Sequence, residues 1–381
     1  MPTPIYLDHA ATTPVHPRVI EAMQHLLASN FGNPSSVHSF GRSGRMALEK
    51  ARDTVAQVMG AESKQVIFTS SGTEADNMAL FGVAMANQHR GKHIITTKIE
   101  HHAVLHTCEY LEQFGFEVTY LPVDQTGRVN PEAVKEAVRP DTILVSVMYA
   151  NNEVGTIQPV EEIGAFLREV GVYFHTDAVQ AFGVIPFDVK SIPVDLLSVS
   201  AHKLNGPKGV GALYVHRDVK INPHLFGGAQ ERKKRAGTEN VAGIVGFAEA
   251  VAIASAEMAE RVQKYASLRD KMLQVWREAG VQFVRNGSEE HSVPHILNVS
   301  FPGVSTETLL MNLDLAGIAA SSGSACASGS LELSHVLQAM NIGDERTASA
   351  VRFSFGITND VADVQQAAEK TAQIVQRLLK K

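Results

Sequence analysis

Val172-Tyr173-Phe174, leading into Thr176-Asp177-Ala178-Val179-Gln180, and Val194-Asp195-Leu196-Leu197-Ser198-Val199, leading into Ser200-Ala201-His202-Lys203, decide how this chain is read. Each is a short apolar run of strand length that ends in a polar, chemically active group. Working outward, strand and helix signals alternate. Residues 65–69 read as a strand and 74–86 as the helix after it. Residues 93–97 are a strand, and 103–114 carry helical spacing with Val104, Leu105, Cys108 and Leu111 on one face. Residues 116–121 follow as a strand, 131–138 as a helix with Pro131 near its start, 142–148 as a strand, and 160–170 as a helix ending at Gly171. This order predicts an α/β chain with a largely parallel sheet and helices on both faces.

After about residue 240 the pattern changes. Residues 240–279 read as nearly continuous helix, bent once or twice at most. Short strands at 281–285, 296–301, 318–321 and 351–355 then alternate with helices at 306–315 and 361–379. The reading is a large domain over 15–255 and a smaller α/β domain from 1–14 and 256–381, the latter carrying a small-residue loop at about 322–334.

Composition narrows the function classes. The chain has 381 residues, 44% apolar and 19% charged, with a net charge of −6. The acidic balance argues against a nucleic-acid-binding surface. The run Glu231-Arg232-Lys233-Lys234-Arg235 is the local exception and reads as a solvated loop. No apolar run has the length to span a bilayer, so no membrane partner is expected. The start lacks the basic-then-apolar order of a secretory signal. Two cysteines, Cys108 and Cys326, make no disulfide framework, and the expected setting is a reduced cytoplasm.

An Asp and a Lys at neighbouring strand ends suit one chemistry. A lysine amine forms a Schiff base with an aldehyde, and a carboxylate keeps a pyridine nitrogen protonated so that the ring draws electrons. Asp177 and Lys203 therefore point to pyridoxal 5'-phosphate (PLP). The other motifs agree with that ligand. Ser70-Ser71-Gly72-Thr73-Glu74 lies between a strand and a helix, where Gly72 permits close approach and free N–H groups favour a phosphate, with the Thr73 hydroxyl added. Gln180, three positions beyond Asp177, is placed to donate to the phenolate oxygen. Ser200 and His202 offer further phosphate donors. His101, in Glu100-His101-His102-Ala103, is read as a ring that stacks on the cofactor and moves protons near neutral pH. His102 and His106 have the i, i+4 spacing of a metal pair, but no further ligand is near in sequence. Asn152 is read as a contact to both cofactor and substrate and Arg352 as a substrate-carboxylate contact, with a structural ion pair as the other reading of Arg352. Cys326, in Ser321-Ser322-Gly323-Ser324-Ala325-Cys326-Ala327-Ser328-Gly329-Ser330, is a thiol on a loop too small and polar to form a core. Cys108 sits on an apolar helical face and reads as core.

Together these residues resemble the cysteine desulfurases of the class V aminotransferase branch of fold type I PLP enzymes. The resemblance extends to Tyr6-Leu7-Asp8-His9-Ala10-Ala11-Thr12-Thr13 and Phe31-Gly32-Asn33-Pro34-Ser35-Ser36. The Ser-Ser-Gly-Ser-Ala-Cys326 segment is similar to the group I, NifS/IscS-like type. The resemblance implies a seven-stranded, mostly parallel sheet and a homodimer with PLP at the interface. It implies that Lys203 is the Schiff-base lysine, Asp177 the ring-nitrogen partner, Gln180 the phenolate contact and His101 the stacking ring. Gly72, Thr73, Ser200 and His202 bind phosphate, and Thr238 supplies a phosphate contact to the other subunit. Asn152 and Arg352 hold the carboxylate of L-cysteine. Cys326 receives the sulfur as a persulfide, leaving alanine, and passes it to an iron–sulfur scaffold or a tRNA-thiolating protein. No resident metal is implied; Cys326 is also a ligand for a transient iron–sulfur cluster. The alternative is a selenocysteine lyase or another PLP-dependent lyase or transaminase of the same fold.

Overall fold

The computed structural model describes residues 4–323 and 333–380. The strands run β1 (Ile5–Tyr6), β2 (Val66–Thr69), β3 (His93–Thr97), β4 (Glu117–Leu121), β5 (Thr142–Ser146), β6 (Tyr173–Asp177), β7 (Leu196–Ser200), β8 (Gly211–Val215), β9 (Val284–Asn286), β10 (Ile296–Ser300), β11 (Ile318–Ala319) and β12 (Ala350–Ser354). Seven of them form the main sheet in the order β2-β8-β7-β6-β5-β3-β4. β4, β3, β5, β6 and β7 pair in parallel, while β8 runs antiparallel to both β7 and β2. β5, β7 and β8 are buried at every residue, as strands covered on both faces must be.

Two apolar layers sandwich this sheet. Phe174, Leu197, Val199 and Ala212 pack with Val55 and Met59 of helix Ser39–Met59 and with Phe247 and Val251 of helix Val241–Ala256. On the other side Leu196 and Leu213 pack with Met78 and Val83 of helix Gly72–Asn87 and with Cys108 and Leu111 of helix His102–Glu112. Cys108 is fully buried there, and burial pushes its thiol far above the ordinary range. The remainder of the chain builds a separate apolar cluster around Trp276, Phe301 and Phe353, against the antiparallel sheet β12-β10-β9. The Trp276 indole donates to the Ala368 carbonyl at 3.1 Å.

Residues 240–279 form two helices, Val241–Ala256 and Met258–Glu278, that meet at 73°, one break where one or two were expected; two other features depart from the sequence reading. Glu257 leaves helical geometry at the junction (φ −99, ψ 6), and its carboxylate takes the Arg261 guanidinium at 2.9 Å. β11 is only two residues long and pairs in parallel with β1. Helices Pro17–Ser29 and Ser39–Met59 and strand β8 were not anticipated. The consequence for chemistry lies in the parallel run. β5, β6 and β7 all end at one edge, where α/β sheets bind ligands, and Asp177 and Ser200 are the last residues of β6 and β7.

Candidate active site

A cavity of about 280 Å³ opens at that edge. It brings together Gly72, Thr73, His101, Asn152, Asp177, Gln180, Ser200, His202, Lys203 and Arg352, from segments up to 280 positions apart in sequence (352 − 72). Lys203 follows β7 at the end of a single 3₁₀ turn, Ala201–Lys203. Its Nζ donates to the Ala10 carbonyl and, at 2.7 Å, to the Ala11 carbonyl. Burial, helped by the Arg352 charge, lowers the Lys203 amine to about 7. Asp177 is buried, and its Oδ1 accepts the Val179 N–H at 2.9 Å. Burial raises this carboxyl to about 6, opposed by that hydrogen bond and by Lys203. A buried amine and a buried carboxyl thus share one cavity, each held back from its charged form by lost hydration.

The phosphate-type elements are built on helix Gly72–Asn87. Ser71 caps it, its Oγ accepting the Glu74 N–H at 3.1 Å. The first-turn N–H groups of Gly72 and Thr73 have no intrahelical acceptor. A Cβ on Gly72 would meet Val179 Cγ2 at 2.9 Å and Ser200 Cβ at 3.4 Å, so only glycine leaves the cradle open. Ser200 Oγ is buried without a hydrogen-bond partner. His202 Nδ1 faces Thr12 Oγ1 at 3.2 Å, and burial lowers its imidazole to about 4. Glu74, beside this helix start, is neutralised by Arg235 at 2.7 Å.

These features fit PLP. The orphaned Ser200 hydroxyl and the open Gly72 cradle lie at a helix N-terminus, which favours an anion. Asp177 has one backbone donor and room in the cavity for a cationic N–H. Lys203 is an amine that loses its proton near neutrality.

Several expected roles meet more committed geometry. His101 caps helix His102–Glu112, its Nδ1 accepting the Ala103 N–H at 3.1 Å. Burial and then the nearby Lys203 lower the ring to about 4. The ring therefore titrates below the near-neutral range expected of it, and with Nδ1 accepting the Ala103 N–H the neutral imidazole carries its hydrogen on Nε2. Gln180 Nε2 already donates to the Ala10 carbonyl at 2.9 Å, which leaves its second hydrogen for a ligand. Arg352 lines the cavity, and it pairs with Asp8 at 2.8 Å while donating to the Asn152 carbonyl at 2.8 Å. Thr238 is exposed and lies outside the cavity of its own chain. Cys326 lies outside the described residues. His102 and His106 stack on each other with centroids 4.9 Å apart, and His335 lies 4.6 Å from His102. Among the described residues no group of three His, Cys, Asp or Glu is arranged to hold a metal ion.

The sequence reading missed four buried ionisable groups around the cavity. Asp76 and Glu153 line it, His175 stands behind Asp177, and Glu100 accepts the Thr97 hydroxyl at 2.6 Å and the Met148 N–H at 3.0 Å. Burial lifts Glu100 to about 8. The available signal was position: Asp76 lies just past the first turn of the phosphate-side helix, and His175 two residues before Asp177 on one strand.

Comparison with known proteins agrees with this geometry. The aminotransferase class-V family profile matches residues 5–367. The IscS 1 chain of Bacillus subtilis (strain 168) is 59% identical over 98% of this chain and 99% of its own length. The cysteine desulfurase IscS of Methanosarcina thermophila is 50% identical over 98% of this chain and 92% of its own. The solved structure of a NifS-like protein superposes with a TM-score of 0.93 at 40% identity, covering 98% of this chain and 100% of that one. The chain belongs to the aminotransferase class-V family of PLP-dependent enzymes, among its NifS/IscS-like cysteine desulfurases.

Proposed function

We propose that this chain is a PLP-dependent cysteine desulfurase, which moves the sulfur of L-cysteine onto a cysteine of its own and releases L-alanine. The observation that carries the reading is the meeting of Lys203, Asp177 and Arg352 in one cavity at the sheet edge, in a chain of this family. The relatives do not favour the selenocysteine lyase alternative.

PLP, when bound, supplies an electron sink for the carbanion left at the substrate α-carbon. The chain supplies the rest. Lys203 holds the cofactor and, with an amine lowered to about 7, accepts and returns a proton at neutral pH without a strong base. Asp177 would face the ring nitrogen and stabilise its positive charge. Gly72, Thr73, Ser200 and His202 would hold the phosphate, and His101 would lie against the ring and exchange a proton there. Arg352 and Asn152 orient the substrate carboxylate, with Asp8 keeping the guanidinium in place. Cys326, as thiolate, attacks the substrate sulfur. The new S–S bond forms as the Cβ–S bond breaks; the electron pair passes to carbon, and a proton there completes alanine. The sulfur is left on Cys326 as a persulfide.

The finer reading goes further. The active unit is a homodimer, supported by Phe31, Val37, Phe40 and Phe226 standing exposed on the single chain and by Thr238 lying outside its own cavity. The acceptors are sulfur-receiving proteins of iron–sulfur cluster assembly or tRNA thiolation, in a reducing cytoplasm where a free thiol persists. The test is to mix the purified holoenzyme with labelled L-cysteine and measure alanine and protein-bound sulfur. Equal amounts are expected, with Cys326→Ser retaining bound PLP but losing the protein-bound sulfur. Full alanine and sulfide release by Cys326→Ser would overturn the role of that thiol, and no alanine from wild type would overturn the activity.

A further inference from the structure

Behind the Asp177 end of the cavity lie side chains that the proposed reaction leaves unused. His175 and Asp177 are two residues apart on β6, so their side chains share a face of the strand. Helix Gly72–Asn87 covers that face and brings Asp76 to it. Asp76 is 1% exposed and lines the cavity. Its Oδ1 lies 3.6 Å from His175 Nε2 and has no hydrogen-bond partner. Ser198, the register partner of Asp177 on β7, places its hydroxyl 3.0 Å from His175 Nε2 and beside the Asp76 carboxyl. His175 Nδ1 meets Ser146 Oγ at 2.8 Å, so both ring nitrogens are held by hydroxyls that either donate or accept.

Two carboxyls in one buried layer do not both ionise unless each has its own compensation. The donors here divide them unequally. Asp177 has the Val179 N–H and the field of Lys203. Asp76 has only the Ser198 hydroxyl, and the groups facing it are Asp177 and His175 from β6 and Glu100 from the turn after β3. His175 gives no compensating charge, because full burial lowers it to about 3 and keeps it neutral. Burial and the Asp177 carboxylate together push the Asp76 carboxyl well above its usual range.

We infer that Asp76 is a positioning residue that keeps its proton while Asp177 is charged, so that the cavity presents one anion and not two to the ring nitrogen of its cofactor. The inference rests on the PLP reading of the site. Through Ser198 and His175, the protonated Asp76 also fixes the hydrogen-bond order behind Asp177.

The experiment compares holoenzyme of wild type, Asp76→Asn, Asp76→Ala and Asp177→Asn. Two quantities are read: the PLP dissociation constant, and the pH titration of the visible absorption of bound PLP. Asparagine keeps the shape of a neutral carboxyl, so Asp76→Asn should stay within about threefold of wild type with an unmoved midpoint. Asp76→Ala removes the acid that faces Ser198 and His175 and leaves a buried void in its place, and it should weaken PLP about tenfold, with a shifted midpoint. Infrared difference spectra of wild type against Asp76→Asn should contain a protonated-carboxyl band at neutral pH; this decides the matter even if the alanine variant does not fold. A carboxylate band in its place, an Asp76→Asn variant as impaired as Asp177→Asn, or an Asp76→Ala variant identical to wild type would each overturn the inference. If wild type itself takes up no PLP, the cofactor reading fails instead.

Discussion

At the ring end of the cavity, Asp177, Asp76 and His175 are buried on strand ends and on the helix packed over them, with hydroxyls and one backbone N–H as partners. At the phosphate end, Thr73 is exposed, and the ligand groups are a helix terminus, a glycine, and the side chains of Ser200 at the end of β7 and His202 just after it. The ring end manages charge by burial, which raises both carboxyls. The phosphate end manages it by neutralisation: Glu74, beside the helix start, is offset by Arg235, and the pair lowers the Glu74 carboxyl. Burial makes a charge expensive and therefore selective, whereas a half-open site is buffered by water. Substitutions at the first end should be costly and specific, and those at the second smaller and dependent on salt.

The largest effect is expected from Asp177→Asn. Removing the ring-nitrogen partner should lower alanine formation roughly 10²- to 10⁴-fold, the usual scale for a group acting in proton-transfer chemistry. A loss below about tenfold would break the contrast between the two ends. The pH dependence of cofactor capture tests Lys203 next. Only the neutral amine attacks an aldehyde. With the amine at about 7, about a tenth is neutral at pH 6 and about nine-tenths at pH 8. The rate of PLP capture by apoprotein, followed by absorbance, should therefore rise about tenfold over that span and then level off. A rate still climbing at pH 9 would indicate an ordinary lysine.

Gly72→Ala sharpens the other end. Its Cβ at 2.9 Å from Val179 Cγ2 should cost about 1 kcal/mol or more of phosphate binding, roughly fivefold in PLP affinity, through overpacking. The spectrum of the bound ring should stay unchanged. Arg235→Gln should have the smallest effect, about threefold weaker PLP binding at low salt and less at high salt, because its pair with Glu74 is only partly buried (22% and 10% side-chain exposure). Adding Glu74→Gln should restore binding, since it removes the uncompensated charge.

Much of the site was legible because its chemistry is local. A strand ending in Asp177, another ending before His202-Lys203, and a capped glycine at Gly72 each announce a function by residue type and neighbouring pattern. The downward shift of the His101 ring was not legible, because it depends on burial and on Lys203, about a hundred residues away (203 − 101 = 102). Asp76 was hidden for the same reason. On a helix, a lone aspartate reads as a surface residue, and only packing against β6 and β7 makes it a buried acid. The bend at Glu257 had no Pro or Gly to announce it.

The amino-acid order by itself determined the alternation of strand and helix, and hence a parallel sheet whose strand ends face one way. It also determined the residue types for a PLP site, because periodicity and side-chain chemistry are properties of short segments. The tertiary structure alone decided which of those groups carry charge. Asp177 and Asp76 are the same acid in the sequence; a backbone donor and a nearby lysine favour the anion at one, and burial beside that anion favours the proton at the other. Hydration and distance set this difference, and both exist only once β6, β7 and the helix Gly72–Asn87 are packed together.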